Sequence, residues 1–275
     1  MKKEGDIIMK LKKMFTAAVA FALIVSLAAC GGTAKTKTIA SVDDLDGARV
    51  GAQTGTTGAQ YMDGDIKDGV FPNAKLEQYS KGVDAIQALK QGKVDAVIID
   101  NEPAKVFVEQ NNDLKILETP YTEEEYAICI SKDHPELTEA FNKAIKEIKS
   151  EGILDAIFDK YINKTEGAKG YVTPEGTQHP NGELVMATNA YFSPYEYYEG
   201  QEIVGFDIEL ATAICDKLGY TLKVEDMEFE SIIAAIQSGK ADFGAAGMTV
   251  DETRLKSVDF TDTYCTGVQV IIVKK

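Results

Sequence analysis

Histidine, cysteine and positive charge are scarce in this chain. Two histidines and four cysteines occur in 275 residues, and 29 basic residues face 44 acidic ones, for a net charge of −15. Such an acidic chain is poorly suited to nucleic acid or to direct adhesion to anionic lipid surfaces. Cys129, Cys215 and Cys265 are too scattered to indicate a disulfide framework or a metal site. We therefore expect no nucleic-acid partner, no metal and no cofactor.

The apolar stretch from Met14 to Leu27 is shorter than the roughly 20 residues that a membrane-spanning helix needs. It follows a lysine-rich segment and precedes Leu-Ala-Ala-Cys30, which is the pattern of a secretory signal. The cysteine at this place resembles a bacterial lipobox. That resemblance implies cleavage before Cys30 and lipidation of its thiol. An ordinary signal peptide with a coincidental cysteine is the alternative.

Two segments of the chain have nearly the same pattern. Residues 84–100 read DAIQALKQGKVDAVIID, and residues 231–247 read SIIAAIQSGKADFGAAG. In each, an apolar helical stripe ends at Gly-Lys, and an aspartate leads into a buried strand. Two such helix–turn–strand units predict two similar α/β lobes. Because ligands of open α/β sheets bind at the carboxyl ends of strands, Asp100 and Ala246-Gly247 should face one cleft from opposite sides.

The remaining sequence adds further elements to these lobes. A strand over 48–52 is followed by the Gly/Thr loop 53–58, which precedes a helix and could present backbone N–H groups to an anion. Such a loop is often only a turn. Residues 125–131 are typical of a strand, and helices are predicted near 135–150 and 152–161. Residues 163–182 lack periodicity and are rich in Gly, Pro and Thr, so they predict a flexible linker.

Longer motifs in the chain resemble those of a known family. They are NAYFSPYEYYEGQEIVGFDIELATAICDKLGY at 189–220, FESIIAAIQSGKADFGAAGMTVDETR at 229–254 and VDFTDTYCTGVQVIIV at 258–273. They resemble the polar amino-acid-binding proteins of ABC importers, which are bacterial extracellular solute-binding proteins of family 3. Residues 45–58, 92–100 and 126–137 resemble the other half of the same family. The resemblance implies an α/β, bilobal, periplasmic-binding-protein-like (type II) fold with a ligand cleft between the lobes.

The two halves stand in the reverse of the family's order, which implies a circularly permuted chain. Numbering the lobes as in the family, the expected organisation is a lipoprotein signal peptide (1–29), a polar tether (30–46), lobe 2 (47–125), a crossover strand with C-terminal helices packing on lobe 1 (126–162), a linker joining the family's original termini (163–182), and lobe 1 ending in a hinge strand (183–275). A protein tolerates circular permutation when its new termini lie in an exposed connection. A domain-swapped dimer is one alternative, and a spliced or misassembled gene is another.

The resemblance also implies a pocket for an amino acid zwitterion. Arg254 matches the family's carboxylate-binding arginine, and a planar guanidinium suits a carboxylate. Thr249 and, from the opposite lobe, Thr56 and Thr57 would add donors, while Asp100 and the Gly247 carbonyl, beside Ala246, would accept from the ammonium. Phe192 and Phe229 would form walls around the ligand side chain. Taken singly, Arg254 could be a solvated helix-start residue, Asp100 a helix cap and either aromatic ring a core residue.

Asn189 bears on the identity of the ligand. Several relatives that take cationic side chains carry an aspartate at this place. Together with Gln53 opposite it, Asn189 leaves a neutral ligand such as glutamine open beside arginine, lysine, histidine and cystine.

The expected function is that of a lipid-anchored receptor outside the cytoplasmic membrane, at the cell surface or in the periplasm. It would deliver a polar amino acid to an ABC permease, contact the membrane only through its N-terminal lipid, and exist as a monomer or a domain-swapped dimer. A ligand-sensing subunit of a separate signalling protein is an alternative, and a non-binding product of gene rearrangement is another. A dehydratase on the same fold would need an acid–base carboxylate beyond Asp100. We therefore expect no enzyme and no catalytic residue.

Overall fold

The computed structural model describes residues 36–275, so the predicted signal peptide and the Cys30 lipidation site lie outside the described residues. The helices are α1 (Thr57–Lys67), α2 (Gly82–Lys90), α3 (Asn101–Gln110), α4 (Pro135–Ser150), α5 (Ile153–Tyr161), α6 (Phe206–Leu218) and α7 (Ile232–Gln237). The strands are β1 (Arg49–Gln53), β2 (Lys75–Tyr79), β3 (Ala96–Asp100), β4 (Leu114–Ile116), β5 (Thr122–Tyr126), β6 (Cys129–Ile130), β7 (Glu183–Thr188), β8 (Tyr191–Phe192), β9 (Glu196–Glu199), β10 (Glu202–Val204), β11 (Thr221–Asp226), β12 (Phe243–Gly244), β13 (Asp259–Phe260) and β14 (Cys265–Lys274). Among these residues, no helix has the length and apolar character needed to cross a membrane.

Lobe 2 is built on a sheet with the strand order β2-β1-β3-β14-β4, and β5 also pairs with β14. β1 is parallel to β2 and to β3, so helices α1 and α2 serve as the crossovers of two βαβ units. Every residue of β3 is buried, as expected for an internal strand covered on both faces. β14 runs antiparallel to its neighbours β3 and β4, near the middle of the sheet.

Lobe 1 has a sheet with the order β11-β7-β12-β6-β13, and β8, β9 and β10 form a small antiparallel sheet of their own. β7 is parallel to β11 and β12, whereas β6 is antiparallel to β12 and β13. Each lobe thus takes one antiparallel strand that the chain reaches by crossing from the other lobe, β14 in lobe 2 and β6 in lobe 1. The predicted fold class, a bilobal α/β fold of the periplasmic-binding-protein type, is confirmed.

The two helix–turn–strand units occupy equivalent places in the two sheets. The Asp95 amide donates to the Arg49 carbonyl at 2.7 Å, and the Asp242 amide donates to the Val185 carbonyl at 2.9 Å. The carboxylates of the same two aspartates accept from the amides of Arg49 and Val185. Each aspartate therefore ties the start of its strand to the neighbouring parallel strand, which gives a physical reason for an aspartate after each Gly-Lys turn.

The segment 125–131 differs from the single strand that its sequence indicates. β5 ends at Tyr126, β6 begins at Cys129, and the two strands belong to different sheets. The apolar run is continuous because both halves are buried, although in different lobes. Residues 127–128 therefore carry the chain from one lobe to the other.

Residues 163–182 contain no helix or strand, but they are not a free tether. The Tyr171 amide donates to Glu209 at 2.7 Å, and the Tyr171 hydroxyl donates to Asp216 at 2.9 Å. His179 Nε2 lies 2.7 Å from the same Asp216 carboxylate. Both acidic residues belong to α6, so the segment is docked along this helix. Composition alone indicates flexibility because such side-chain contacts leave no periodic pattern.

Candidate functional site

A small cavity lies between the two lobes. All eleven residues that the sequence singles out as ligand-binding candidates line it, and Glu196 is a further lining residue. Lobe 2 contributes Gln53, Thr56, Thr57 and Asp100, and lobe 1 contributes Asn189, Phe192, Glu196, Phe229, Ala246, Gly247, Thr249 and Arg254.

The parallel strands explain why these residues meet. Gln53 and Asp100 are the last residues of β1 and β3, and Asn189 directly follows β7. Ala246 and Gly247 come just after β12. The carboxyl ends of parallel strands lie at one edge of a sheet, and here the two edges face each other across the cavity.

Arg254 is buried, with 5% of its surface exposed. Its Nη1 donates to the Thr249 carbonyl at 2.7 Å, and its Nη2 donates to the Gly55 carbonyl of the opposite lobe at 3.0 Å. Its guanidinium carbon lies 5.4 Å from the centre of the Phe229 ring, and its Nε lies 3.1 Å from Asp251. Burial lowers the pKa of Arg254, and nearby carboxylates oppose this effect. Arg254 is therefore not a solvated helix-start residue but a fixed cation in the wall of the cavity.

Asp100 is the carboxylate of the opposite wall. It immediately precedes α3, yet its side chain makes no capping hydrogen bond, and it accepts instead from the Tyr126 hydroxyl. Burial and the charge of Glu124 raise the pKa of Asp100 to about 7. Its carboxyl thus lies close to the balance point between its neutral and charged forms at neutral pH, and an arriving cation would favour the charged form.

The threonines are held by a buried polar layer that the sequence does not reveal. The Thr249 hydroxyl donates to Glu124 at 3.0 Å, and Gln269 Nε2 donates to the same carboxylate at 3.0 Å. Thr56 is the N-cap of α1, where its hydroxyl accepts from the Ala59 amide at 3.4 Å. Thr57 is the first residue of that helix. The positive end of α1 and the Arg254 guanidinium therefore contribute to the same cavity.

Gln53 and Asn189 join the two lobes directly. Gln53 Nε2 donates to Asn189 Oδ1 at 3.0 Å and to the Ser80 carbonyl at 3.0 Å. Asn189 Nδ2 donates to the Met227 carbonyl at 2.8 Å. The polar groups that the sequence sets opposite each other are thus bonded to one another, and they close one part of the cleft.

Gly247 has a conformation and surroundings that exclude a side chain. Its φ is +52°, and a Cβ atom built on it would lie 2.7 Å from the Phe192 ring. Its amide donates to Asp207 at 2.8 Å, and the Tyr264 hydroxyl donates to the same carboxylate at 2.9 Å. Burial raises the pKa of Asp207 to about 6. Asp207 therefore holds the backbone of Gly247 against Phe192 in the cavity wall.

The described residues contain no group of three or more His, Cys, Asp or Glu side chains arranged to hold a metal ion. The cavity combines one buried cation, hydroxyl and helix N-terminal donors, carboxylate acceptors and two aromatic rings. Such a set matches the opposite charges of an amino acid zwitterion.

The fold and this cavity define a bilobal α/β protein with a small polar cleft between its lobes. Residues 184–275 match the family model of the bacterial extracellular solute-binding proteins, family 3. The predicted relationship to polar amino-acid-binding proteins is confirmed, whereas the permuted order stays a prediction.

Curated relatives agree with this classification. The chain is 45% identical over 100 residues to the arginine-binding extracellular protein ArtP of Bacillus subtilis (strain 168), covering 36% of this chain and 39% of that protein. It is 31% identical over 127 residues to the ABC transporter glutamine-binding protein GlnH of the same organism, covering 46% and 45%. A third relative is the L-cystine-binding protein TcyJ of Escherichia coli (strain K12), 27% identical over 126 residues, covering 46% of each chain. The chain therefore spans less than half the length of each, and all three are named as binding proteins rather than enzymes.

Proposed function

We propose that this chain is an extracytoplasmic receptor that binds a polar amino acid in the cavity between its lobes. The observation that carries this proposal is the buried Arg254 guanidinium, which shares one cavity with Asp100 from the other lobe. A guanidinium and a carboxylate on opposite walls provide partners for the two charges of an amino acid backbone.

The ligand carboxylate would take donors from both lobes. Arg254 and Thr249 belong to lobe 1, while Thr56 and Thr57 belong to the start of α1 in lobe 2. The ligand ammonium would donate to Asp100 and to the Gly247 carbonyl. Because each charged end of the ligand contacts both lobes, binding favours the state in which the lobes are closed.

The proposal includes the chain's place in the cell and its partners. We assign it a lipid anchor at Cys30, a location outside the cytoplasmic membrane and an ABC permease as the protein that receives the amino acid. ArtP and GlnH, named as an arginine-binding extracellular protein and an ABC transporter glutamine-binding protein, support the location and the permease. The lipid anchor is supported by the sequence pattern before Cys30 alone.

We also propose that the halves are circularly permuted relative to the family. The positions of β14 and β6, each within the sheet of the opposite lobe, support a chain that completes both lobes by itself. The proposed form is therefore a monomer, with the domain-swapped dimer as its alternative. Size-exclusion chromatography with light scattering distinguishes the two.

A thermal-unfolding screen of the purified protein against the twenty amino acids, cystine and ornithine tests the proposed function. An amino acid present at 100 times its dissociation constant should stabilise the folded protein by about 2.7 kcal/mol. We expect a clear rise in Tm with one or a few polar amino acids and none with alanine or leucine. Cooperative unfolding whose Tm no amino acid changes would refute the receptor function.

The affinity for a ligand with a neutral side chain, such as glutamine, should depend on pH through Asp100. The ammonium favours the charged carboxylate, and the pKa of Asp100 in the free protein is about 7. Below that pH a proton must leave before the ammonium binds, so the dissociation constant should rise by up to tenfold per pH unit as the pH falls below about 7. Titration calorimetry between pH 5 and pH 8 measures this change.

The matched control for that titration is Asp100→Asn. This variant removes the titrating group while keeping a carbonyl oxygen, so its affinity should be weaker and nearly independent of pH across the same range. Glu124, Tyr126 and Glu196 also surround Asp100. An unchanged pH profile in Asp100→Asn would assign the dependence to one of them instead.

A further inference from the structure

Glu124 lies behind the cavity wall rather than in it. It is a buried residue of β5, with 5% of its surface exposed, and it is not among the residues that line the cavity. Its neighbours Glu123 and Glu125 are exposed, because successive side chains of a strand point to opposite faces. A glutamate is rarely buried this fully unless other groups pair with it, so its partners indicate what it does.

Three elements of the molecule bring hydrogen-bond donors to Glu124. The Thr249 hydroxyl comes from lobe 1 and Gln269 Nε2 comes from β14, and each lies 3.0 Å from the carboxylate. A side-chain hydrogen bond also joins the carboxyl to Tyr61 of α1. Thr249 is itself a lining residue of the cavity. Glu124 therefore fixes part of the ligand site without facing the ligand.

Gln269 joins the Glu124 carboxyl to Asp100. It is the cross-strand partner of Asp100 where β14 pairs with β3, and its side chain is hydrogen-bonded to both carboxyls. Tyr126, which donates to Asp100, lies two residues after Glu124 and on the same face of β5. One amide and one strand thus hold two buried carboxyls as neighbours.

Two negative charges that are buried this close together cannot both form without a cost in free energy. Like charges in a buried site raise the pKa of one member of the pair. Here burial and the charge of Glu124 raise the pKa of Asp100 to about 7. Arg254, the basic residue of the cavity wall, already pairs with Asp251 at 3.1 Å. Glu124 therefore shifts Asp100 toward its neutral form in the empty cavity, and an arriving ammonium reverses that shift.

Titratable side chains of the neighbouring elements also interact with this pair. They are Tyr61, Tyr126, Tyr195, Glu196, Arg254 and Cys265. Burial raises the pKa of Tyr61 and of Cys265 to about 12, and it raises the pKa of the other two phenols as well. These groups keep their protons between pH 5 and pH 8. Burial and nearby carboxyls also raise the pKa of Glu196, so a test has to separate it from Asp100.

We propose that Glu124 is a positioning residue of the ammonium site and that, through Gln269 and Asp100, it makes amino acid binding sensitive to pH. This inference rests on the proposed receptor function and adds to it a residue that does not touch the amino acid. Below neutral pH the pair holds a proton that must leave before the ammonium binds, so acid releases the amino acid. Without the charge of Glu124, Asp100 stays charged at lower pH and the cavity keeps its amino acid there.

Glu124→Gln tests the proposal because it keeps the shape of the side chain and removes its charge. The dissociation constants of L-arginine and L-glutamine, whose side chains do not titrate in this range, are measured by calorimetry with the intact protein from pH 5 to pH 8. In the wild type they should rise by up to tenfold per pH unit below about pH 7. In Glu124→Gln the pKa of Asp100 falls, so the rise should begin about one pH unit lower. At pH 5 the variant should then have lost about tenfold less affinity, relative to its own value at pH 8, than the wild type.

Further variants separate the charge of Glu124 from its shape and its place. Glu124→Asp keeps the charge on a shorter side chain, so it should keep the wild-type pH dependence even where the affinity falls. Glu123→Gln and Glu125→Gln remove the same charge from the exposed face of β5 and should leave the curve unchanged. In an Asp100→Asn background, adding Glu124→Gln should not move the remaining pH profile, because the group through which Glu124 acts is gone.

The outcomes distinguish this role from the receptor function itself. If the wild-type protein binds no amino acid, the receptor function fails. If it binds amino acids, but its curve and that of Glu124→Gln run parallel between pH 5 and pH 8, only the role of Glu124 fails. Equal flattening in Glu124→Asp and Glu124→Gln would overturn that role too, since shape and not charge would then matter. A shift that persists in the Asp100→Asn background would assign the effect to Glu196 instead of Asp100 and would likewise overturn it.

Discussion

Replacing Arg254 by alanine should weaken amino acid binding by at least about 30-fold and up to several thousandfold. Removing one partner of a buried charge pair costs about 2 to 5 kcal/mol, because the other charge is left without its donors. The loss should be similar for every amino acid that binds, since Arg254 faces the ligand carboxylate. Titration calorimetry at pH 7 measures it. Arg254→Lys should recover only part of the affinity, because an ammonium lacks the planar pair of donors.

The chain contains one other arginine, which makes a matched control. Arg49 pairs with Asp95 at 2.7 Å at the start of β1 and does not line the cavity. Arg49→Ala should lower stability without changing the affinity of the folded protein. If Arg254→Ala bound amino acids as tightly as the wild type, the carboxylate site would lie elsewhere, and the charge arrangement proposed for the cavity would be wrong.

Deletion of residues 268–275 should unfold lobe 2 and abolish ligand binding. The deletion removes Val270, Ile271, Ile272 and Val273, all buried between β3 and β4. Burying one such side chain contributes about 1.5 to 3 kcal/mol, so four approach the 5 to 15 kcal/mol that typically separates folded from unfolded domains. The deletion also removes Gln269, which contacts Glu124 beside the cavity. Circular dichroism and hydrogen exchange of lobe 2, together with calorimetry, measure the effect.

A shorter deletion distinguishes the contribution of β14 from that of the C-terminal residue alone. Lys275 is an exposed residue whose amide donates to the Asp113 carbonyl. Removing Lys275 alone should change Tm by only a few degrees and leave affinity intact. Should the longer deletion also keep cooperative unfolding and wild-type affinity, β14 would be dispensable, and the idea that this strand couples the lobes would be wrong.

The sequence predicts the lobes well because their signal is local. Each helix–turn–strand unit carries its apolar period, its glycine and its aspartate within 17 residues. The positions of Asp100 and Gly247 follow from where the strands end. The resemblance to a family then adds Arg254, whose immediate neighbours alone indicate an exposed helix start.

The buried polar layer behind the cavity is much harder to predict. Glu124 stands in the acidic run TEEEY, which is typical of an exposed edge, and its partners Thr249 and Gln269 lie 125 and 145 positions further on. Asp207 lies in the first turn of α6, where an acidic side chain stabilises a helix, so the sequence predicts an ordinary exposed helix start. Only the folded chain brings it to Tyr264 and Gly247. Short polar segments carry no signal for burial when their partners are distant in the chain.

The antiparallel insertion of β14 also governs the order in which the molecule folds. Lys274 contacts the carbonyl of Lys90, 184 positions earlier, and the Gln269 side chain lies beside Thr57, 212 positions earlier. Contacts of such long sequence separation form late, because a large loop must close before they contribute any stability. The ribosome makes the strands β1 to β4 first, yet their sheet stays incomplete until β14 exists. Lobe 2 is thus the first lobe to be synthesised and the last to become whole.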